Sequence, residues 1–454
     1  MDKLAVWLEE KEAQMIEDIR ALVGFESVAD GRHVEECSGV MEQMAEFARR
    51  DGMEAVRHGE HCLSITMGSA DKEIGVWNHL DVVPAEGEWI YTPFSLQRKD
   101  GFLIGRGVQD NKGPAIAVYY AMRWCKENKL LGNVRVRQIL GVREEVDMKD
   151  VRYYVRNCPV PDYSFVADCR FPVCCGEKGI CRVELETIKA SGQFIRLEGG
   201  TACNIVPEKA EAVLSLAGRE TGIHGKGISG HAASPDNTVN AIGVLAGRLL
   251  AEDLGEEERR AVLFLQEASS DGYGEGLGIA CEDEISGRLT CNAGVLSLTE
   301  GRIGLVLDIR YPVTVRREQF MEKLQERAVQ AGYSVKKVTD DPPYYREKND
   351  AFVQTLMSAW EAETGQTEEA YVMGGGTYAR HIPNAVAFGP SMSRDNSVLG
   401  LPEGHGNCHG ADEAESLYNL KAAVRIYVRA LTKLDRWLAM RPAKRQAEYN
   451  EALR

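Results

Sequence analysis

"VWNHLDVVPAEGEW", residues 76–89, opens as a buried strand and closes on an imidazole and a carboxylate, His79 and Asp81, just before a proline. Side chains two apart on a strand share a face. The two groups therefore converge at the carboxyl end of the strand, the edge where open α/β sheets place their sites. A carboxylate beside a histidine can fix its tautomer and aim it at a metal. The surroundings identify the sheet. From about residue 53 to 168 short apolar runs alternate with helical patterns: a helix at "GPAIAVYYAMRWCKEN" (113–128), a strand at "VRVRQILGV" (134–142), a short helix at "DMKDVRYYVRN" and a strand at "YSFVAD" (163–168). Such alternation predicts an α/β layer, helices flanking a mainly parallel sheet.

Beyond "CCGEKGI" the pattern changes. "CRVELET" alternates with period two, as a half-exposed strand does, and "EAVLSLAG" and "RIGLVLDIRYPV" also read as strands. Helical stretches fall at 237–253 and 316–331, the second followed by the strand "YSVKKV". This predicts a separate α+β domain of ferredoxin-like type, with room for two half-domains. After residue 350 the first style returns, in the helix "AFVQTLMSAWEAETG", the run "AYVMGGGTYAR", the strand "NAVAFGP" and a long final helix. The simplest organisation is an α/β domain in two parts, 1–179 and 349–454, with 180–348 inserted between them. The tail "RPAKRQAEYNEALR" reads as a solvated end.

Composition narrows the classes. At 454 residues the chain exceeds one hydrophobic core. With 44% hydrophobic and 27% charged residues it has no apolar run of membrane-spanning length. A net charge of -15 opposes nucleic-acid binding. The amino terminus carries charges throughout, with Leu4, Trp7, Leu8, Met15, Ile19 and Leu22 roughly at helical spacing, which predicts an amphipathic helix and not a signal peptide. Twelve scattered cysteines without a secretory signal read as reduced thiols of a cytoplasmic protein.

The chemistry lies where strands end. "GRGVQDNKGP" puts Asp110 in a glycine-flanked loop before a helix, "LGVREEVD" puts Glu144 and Glu145 after one strand, and "FVADCRFP" puts Asp168 after another. Together with His79, four consecutive elements end in acidic residues or histidine at one edge of the expected sheet. A single such carboxylate reads as a solvated strand end, but a set of this kind reads as a metal site.

"HLDVVPAEGEW", "GRGVQDNKGP", "EE", "DCRFPVCCGEKG", "GHAASP" and "GGGTYAR", in this order, resemble the di-zinc metallopeptidases that include carboxypeptidase G, aminoacylase, succinyl-diaminopimelate desuccinylase and carnosinase. Within them the chain most resembles the PepV-type dipeptidases, from about residue 8 to 440. The resemblance implies two divalent ions per chain, zinc by preference with manganese or cobalt suited to the same ligands. His79, Asp110 and Asp168 would hold one ion, and Asp110, Glu145 and His409 the other, with Asp110 as the bridge. Asp81 would orient His79, and Glu144 would be the general base acting on a water shared by the two ions. His231, in "SGHAASP", would stabilise the oxyanion from an inserted domain that acts as a lid. Asn204, Arg310, Gly375, Gly376 and Thr377 would receive the substrate. "GHGNCHGADE" offers both His405 and His409 as the last ligand, and the acidic pair that follows favours His409. Cys408 is left out, because the family uses no thiolate there.

Two departures stand out. Asn111 follows the bridging aspartate where relatives commonly carry a second aspartate, which removes a charge beside the site. Arg143 puts a cation next to the base, either depressing the Glu144 pKa or pointing away. The leading expectation is a dipeptidase acting on small peptides, a monomer with a homodimer left open, and with neither nucleic acid nor membrane as partner. An N-acyl-amino-acid amidohydrolase would use the same centre, and a non-catalytic binding homologue would have lost a ligand or the base, none of which is missing.

Overall fold

The computed structural model describes residues 2–216 and 218–441, and the chain divides into two compact units. The first comprises the chain up to Cys175, Arg346–Tyr371 and the chain from Thr377; the second comprises Gly176–Tyr345 and Val372–Gly376. The second unit is thus inserted in the first. The glycine-rich segment Val372–Gly376, assigned from sequence to the α/β domain, belongs to the inserted unit. The tail 442–454, read as a solvated end, lies outside the described residues.

In the first unit one sheet runs in the order Glu54–His58, Cys62–Met67, Val134–Gly141, Lys72–His79, Tyr163–Val166, Ala385–Phe388 and then Val173–Glu177. The four middle strands are mutually parallel, with His79 opposite Gly141 and Val166 opposite Trp77. The outer pairs are antiparallel. Lys72–His79 is buried from Glu73 onward, as a strand covered on both faces must be. The parallel direction is what matters chemically. It brings the carboxyl ends of Lys72–His79, Val134–Gly141 and Tyr163–Val166 to one edge, and the next residues of each strand carry the site.

The helix Lys112–Glu127 is buried almost throughout. The final helix, Leu417–Ala439, is capped by the Ser416 hydroxyl and buries Leu420, Val424, Tyr427, Leu431 and Leu434 along one stripe. Each such side chain removed from water contributes roughly 1.5–3 kcal/mol. Two helices unread in the sequence, Val34–Arg50 and Glu256–Ala268, begin with clustered glutamates, which suit a helix amino terminus. Among the described residues no helix is long and apolar enough to cross a membrane, and the twelve cysteines are all free.

In the second unit an antiparallel sheet runs Arg219–Lys226, Lys209–Leu216, Phe194–Gly199, Thr290–Thr299, Arg302–Tyr311, Gly179–Thr187 and Tyr333–Asp341. Gly179–Thr187 alternates buried and less buried residues, in keeping with its period-two sequence. The two half-domains for which the sequence left room are joined: Gly199 pairs with Leu296, so the strands share one sheet, and a single apolar core runs from Cys181 to Tyr333 beneath it.

Gly141, at the end of its strand, tests how tightly this edge is built. A Cβ there would meet the Tyr378 hydroxyl at 2.1 Å and the Asp150 carboxylate at 2.3 Å, both on buried side chains. Asp150 in turn accepts the Val142 and Arg143 amides at 2.8 Å, fixing the turn into Glu144. Gly141→Ala is expected to cost about 1–3 kcal/mol of stability through overpacking, read as a lower urea midpoint, and to lower metal affinity with it. An unchanged midpoint would show that this edge has room to relax.

Candidate metal centre

His79 ends its strand completely buried. Its Nε2 lies 2.7 Å from Asp110 Oδ1 and 3.7 Å from Asp168 Oδ2. Its Nδ1 lies 3.0 Å from the Asp81 carbonyl oxygen and 3.4 Å from the Asp81 carboxylate. A proton on Nδ1 therefore satisfies Asp81 and turns the Nε2 lone pair toward the aspartates, the tautomer a metal ligand needs. The carboxylate of Asp81 does a second job. It accepts the Glu144 and Glu145 backbone amides, each at 3.1 Å, so one buried residue sets both the imidazole, through its carbonyl, and the turn carrying the two glutamates, through its carboxylate.

Asp110 sits on a loop folded around Glu413. The backbone amides of Gly107, Gln109 and Asp110 donate to the Glu413 carboxylate at 3.1, 2.8 and 3.2 Å. Arg106 pairs with the same carboxylate at 2.7 Å and donates to the His409 carbonyl at 3.2 Å. This buried pair ties the Asp110 loop to the His409 loop. His409 Nε2 lies 3.0 Å from Asp110 Oδ2 and 3.2 Å from Glu145 Oε1. The two oxygens of Asp110 thus face different imidazoles, Oδ1 toward His79 and Oδ2 toward His409. That is the arrangement of a bridging carboxylate. His405 is drawn elsewhere, its Nδ1 2.7 Å from Asp412, whose carboxylate also accepts the Ile90 and Tyr91 amides.

The residues around the donors explain both sequence departures. Asn111 is buried, and its amide donates to Asp168 Oδ1 at 2.8 Å and to the Ala167 carbonyl at 2.9 Å. Its own oxygen accepts from Asn78 at 2.6 Å, and Asn78 accepts from Gln138 at 3.0 Å. A carboxylate at 111 would have no hydrogen to offer Asp168 unless protonated. Arg143 turns to Asp147, with nitrogen–oxygen distances of 2.8 and 2.9 Å, so its charge is taken up away from Glu144. The Asp110–Asn111 peptide bond is cis. The resemblance leaves Cys408 out of the ligand set, yet its Sγ lies 3.1 Å from Asp110 Oδ2. Glu413 and Arg106 are not among the sequence candidates; the acidic pair after His409 is the one signal that points toward Glu413.

The remaining candidates are distributed as follows. Thr377 lies in the first unit, buried, its hydroxyl accepting the Ala379 amide at 3.1 Å. The second unit contains Asn204, His231, Arg310, Gly375 and Gly376. The Arg310 guanidinium is buried, spans the Asp308 carboxylate and donates to the Gly374 carbonyl at 3.1 Å. The His231 ring is exposed, and its Nδ1 accepts the Ala233 amide at 3.2 Å.

The charge state of the centre tests whether a metal fits. Burial alone would depress the His79 pKa, but Asp110, Asp81 and Asp168 outweigh it and raise it well above the ordinary imidazole value. Burial would likewise lower His409, and hydrogen bonding to Asp110, Cys408 and Glu145 raises it. Asp110 is held well below the carboxylate range, since His79 and His409 overcome its burial. Burial and the charge of Asp110 push Asp168 up to about 7. Burial raises Glu144, with Asp168, Glu145 and Asp110 opposing the relief from His79. Burial and Asp110 raise Glu145 against His409. The four carboxylates are thus balanced by protons on the two imidazoles and, as the pH falls, by protons on Asp168 and on the two glutamates, all three of which are raised. Divalent cations are the natural replacement, and a mixed imidazole and carboxylate set suits zinc, manganese or cobalt. His79, Asp110 and Asp168 offer one group of converging ligand atoms.

A pH dependence follows. In the neutral range an entering ion must displace protons from His79 and His409. Below about 7 it must displace one from Asp168 as well. Metal affinity is therefore expected to fall as the pH is lowered, more steeply below about 7 than above it. Calorimetry in buffers of different ionisation enthalpy counts the released protons, and binding without proton release would contradict this charge balance.

The chain matches peptidase family M20/M25/M40 over residues 75–433. "Putative dipeptidase YtjP" of Bacillus subtilis is 29% identical over 464 residues, covering 93% of this chain and 98% of that protein. Among solved structures, the Saccharomyces cerevisiae di-peptidase Dug1p superposes with a TM-score of 0.62 at 12% identity, covering 94% of this chain and 97% of that one. The Bacillus subtilis protein YXEP, described as a dinuclear metal binding peptidase of the M20 family, superposes with a TM-score of 0.51 at 13% identity, covering 94% and 99%. With three parallel strands delivering acidic and histidine side chains to one edge and a family match spanning most of its length, the chain belongs to peptidase family M20/M25/M40 and is a hydrolase of that family.

Proposed function

We propose that the protein is a metal-dependent dipeptidase with two divalent ions, zinc by preference, one held by His79, Asp110 and Asp168 and the other by Asp110, Glu145 and His409. The observation that carries this reading is the division of the Asp110 carboxylate, with one oxygen 2.7 Å from His79 and the other 3.0 Å from His409. The dinuclear description of YXEP and the dipeptidase names of YtjP and Dug1p support it. When bound, such ions supply positive charge that polarises a peptide carbonyl and acidifies water.

The chain's own groups do the rest. Asp110 and Asp81 hold the imidazole and the glutamate turn in register, so little reorganisation is needed when charge develops. Glu144 takes a proton from the attacking water and passes it to the leaving amine. Its half-buried carboxyl, with a pKa raised chiefly by desolvation, is a stronger base than an exposed glutamate. His231 supports the negative charge that develops on the carbonyl oxygen. Its Nδ1 accepts the Ala233 amide, which places the neutral ring's proton on Nε2, where an oxyanion needs a donor. Arg310, with Asn204, Gly375, Gly376 and Thr377, receives the substrate. Arg310 would offer its remaining N–H groups to a terminal carboxylate. The five proposed metal donors all lie within the first unit, so a monomer can complete the centre, and the scattered free cysteines fit a reducing, cytoplasmic setting.

The test is a panel of dipeptides and N-acyl amino acids assayed with the metal-stripped protein reloaded with zinc, manganese or cobalt. Dipeptides are expected to be cleaved. Glu144→Gln is expected to lower kcat by roughly 10²–10⁴-fold while the bound metal content stays unchanged. Cleavage of N-acyl amino acids alone would make the protein a deacylase using the same centre, and no dipeptide cleavage with any of the three ions would overturn the assignment.

A further inference from the structure

Cys408 adjoins His409 in sequence and reaches the same atom. Its Sγ lies 3.1 Å from Asp110 Oδ2, and His409 Nε2 lies 3.0 Å from that oxygen. Asp110, Cys408 and His409 each present a ligand atom, and the three atoms lie within 4.8 Å of one another. A cation placed among them has room for bonds of about 2.0–2.3 Å, the lengths zinc makes to oxygen, nitrogen and sulfur.

The backbone of the loop that carries the thiol is held in place. Gln109 donates to the Gly406 carbonyl at 2.7 Å, and Arg106 donates to the His409 carbonyl at 3.2 Å. The Gly406 amide donates to Ala411 at 2.9 Å, and the Gly410 amide to Asn407 at 3.0 Å. His409 itself has φ of 63°, in the left-handed region that non-glycine residues rarely adopt. This turn lets two consecutive side chains address one carboxylate oxygen, where in extended chain they would diverge.

We infer that Cys408 is a fourth protein ligand to the ion held by Asp110, Glu145 and His409, and that it makes this position selective for thiophilic ions. The inference rests on the metal centre proposed above. On binding, the S–H bond breaks and its proton leaves to solvent. A sulfur electron pair then forms the bond to the cation, with no change of oxidation state. One soft thiolate added to an imidazole and two carboxylates favours zinc and cobalt over manganese and magnesium. The ion held by His79, Asp110 and Asp168 has no thiol in its converging group, so the two positions differ in selectivity.

The experiment is cobalt loading of the full-length protein and of Cys408→Ser, read by absorption spectroscopy, with zinc and manganese affinities measured for both. Expected are visible ligand-field bands in both proteins, and a near-ultraviolet sulfur-to-cobalt charge-transfer band in the parent that Cys408→Ser abolishes. The same variant is expected to bind zinc at the position beside His409 at least about tenfold less tightly, with manganese binding unchanged. Ligand-field bands without a charge-transfer band, or a charge-transfer band that survives Cys408→Ser, would overturn the role of Cys408 and leave the metal centre standing. Absence of any cobalt band would remove the centre and this ligand together.

Discussion

Glu413 is buried with its charge against Arg106, and the loop that carries Asp110 is folded around that pair. Three consecutive-loop amides and a guanidinium converge on one carboxylate, while the same guanidinium holds the His409 carbonyl. Breaking such a pair would leave an uncompensated charge in the interior, so the loop has one low-energy arrangement. In that arrangement the Asp110 carboxylate stands between two groups of donors. The rest of the centre depends on that position, since a rotation of Asp110 would serve one group at the expense of the other.

Asp81 plays the matching part on the sheet side. The parallel strands bring His79 and the Glu144–Glu145 turn to one edge, but adjacency alone does not aim them. The Asp81 carbonyl sets the imidazole, and the Asp81 carboxylate gathers the two glutamate amides. Asn111, Asn78 and Gln138 form a buried chain of amides that ends on Asp168. Neutral donors at this depth orient a ligand without adding to the crowding of negative charge. The crowding itself shows in Asp168, raised to about 7 by burial and by Asp110, and in glutamates raised for the same reasons. Such a cluster holds protons when it holds no metal, which couples loading to pH.

Much of this was legible in the sequence because the donors end local elements. His79 and Asp81 share a strand face, and the apolar run before them marks the strand as buried. Asp110, Glu145 and Asp168 follow strands or precede a helix in patterns that local periodicity reveals. The contacts that aim them were not legible, because they join residues far apart: Glu413 and Gly107 are separated by 306 positions, and Arg143 could be assigned to Asp147 only once the turn was seen. Cys408 is set aside in the sequence because the family it resembles uses no thiolate there, and only the turn at His409 brings its sulfur onto Asp110. The helices Val34–Arg50 and Glu256–Ala268 are less legible for a different reason, since charged residues crowd the positions between their buried ones.

The central claim is that Asp110 bridges two ions. A crystal structure of the zinc-loaded protein, with diffraction recorded on both sides of the zinc absorption edge, tests it most directly. The account predicts two anomalous peaks per chain, one in contact with each oxygen of Asp110, the first beside His79 and Asp168 and the second beside His409 and Glu145. A single peak, or two peaks of which only one touches Asp110, would contradict it.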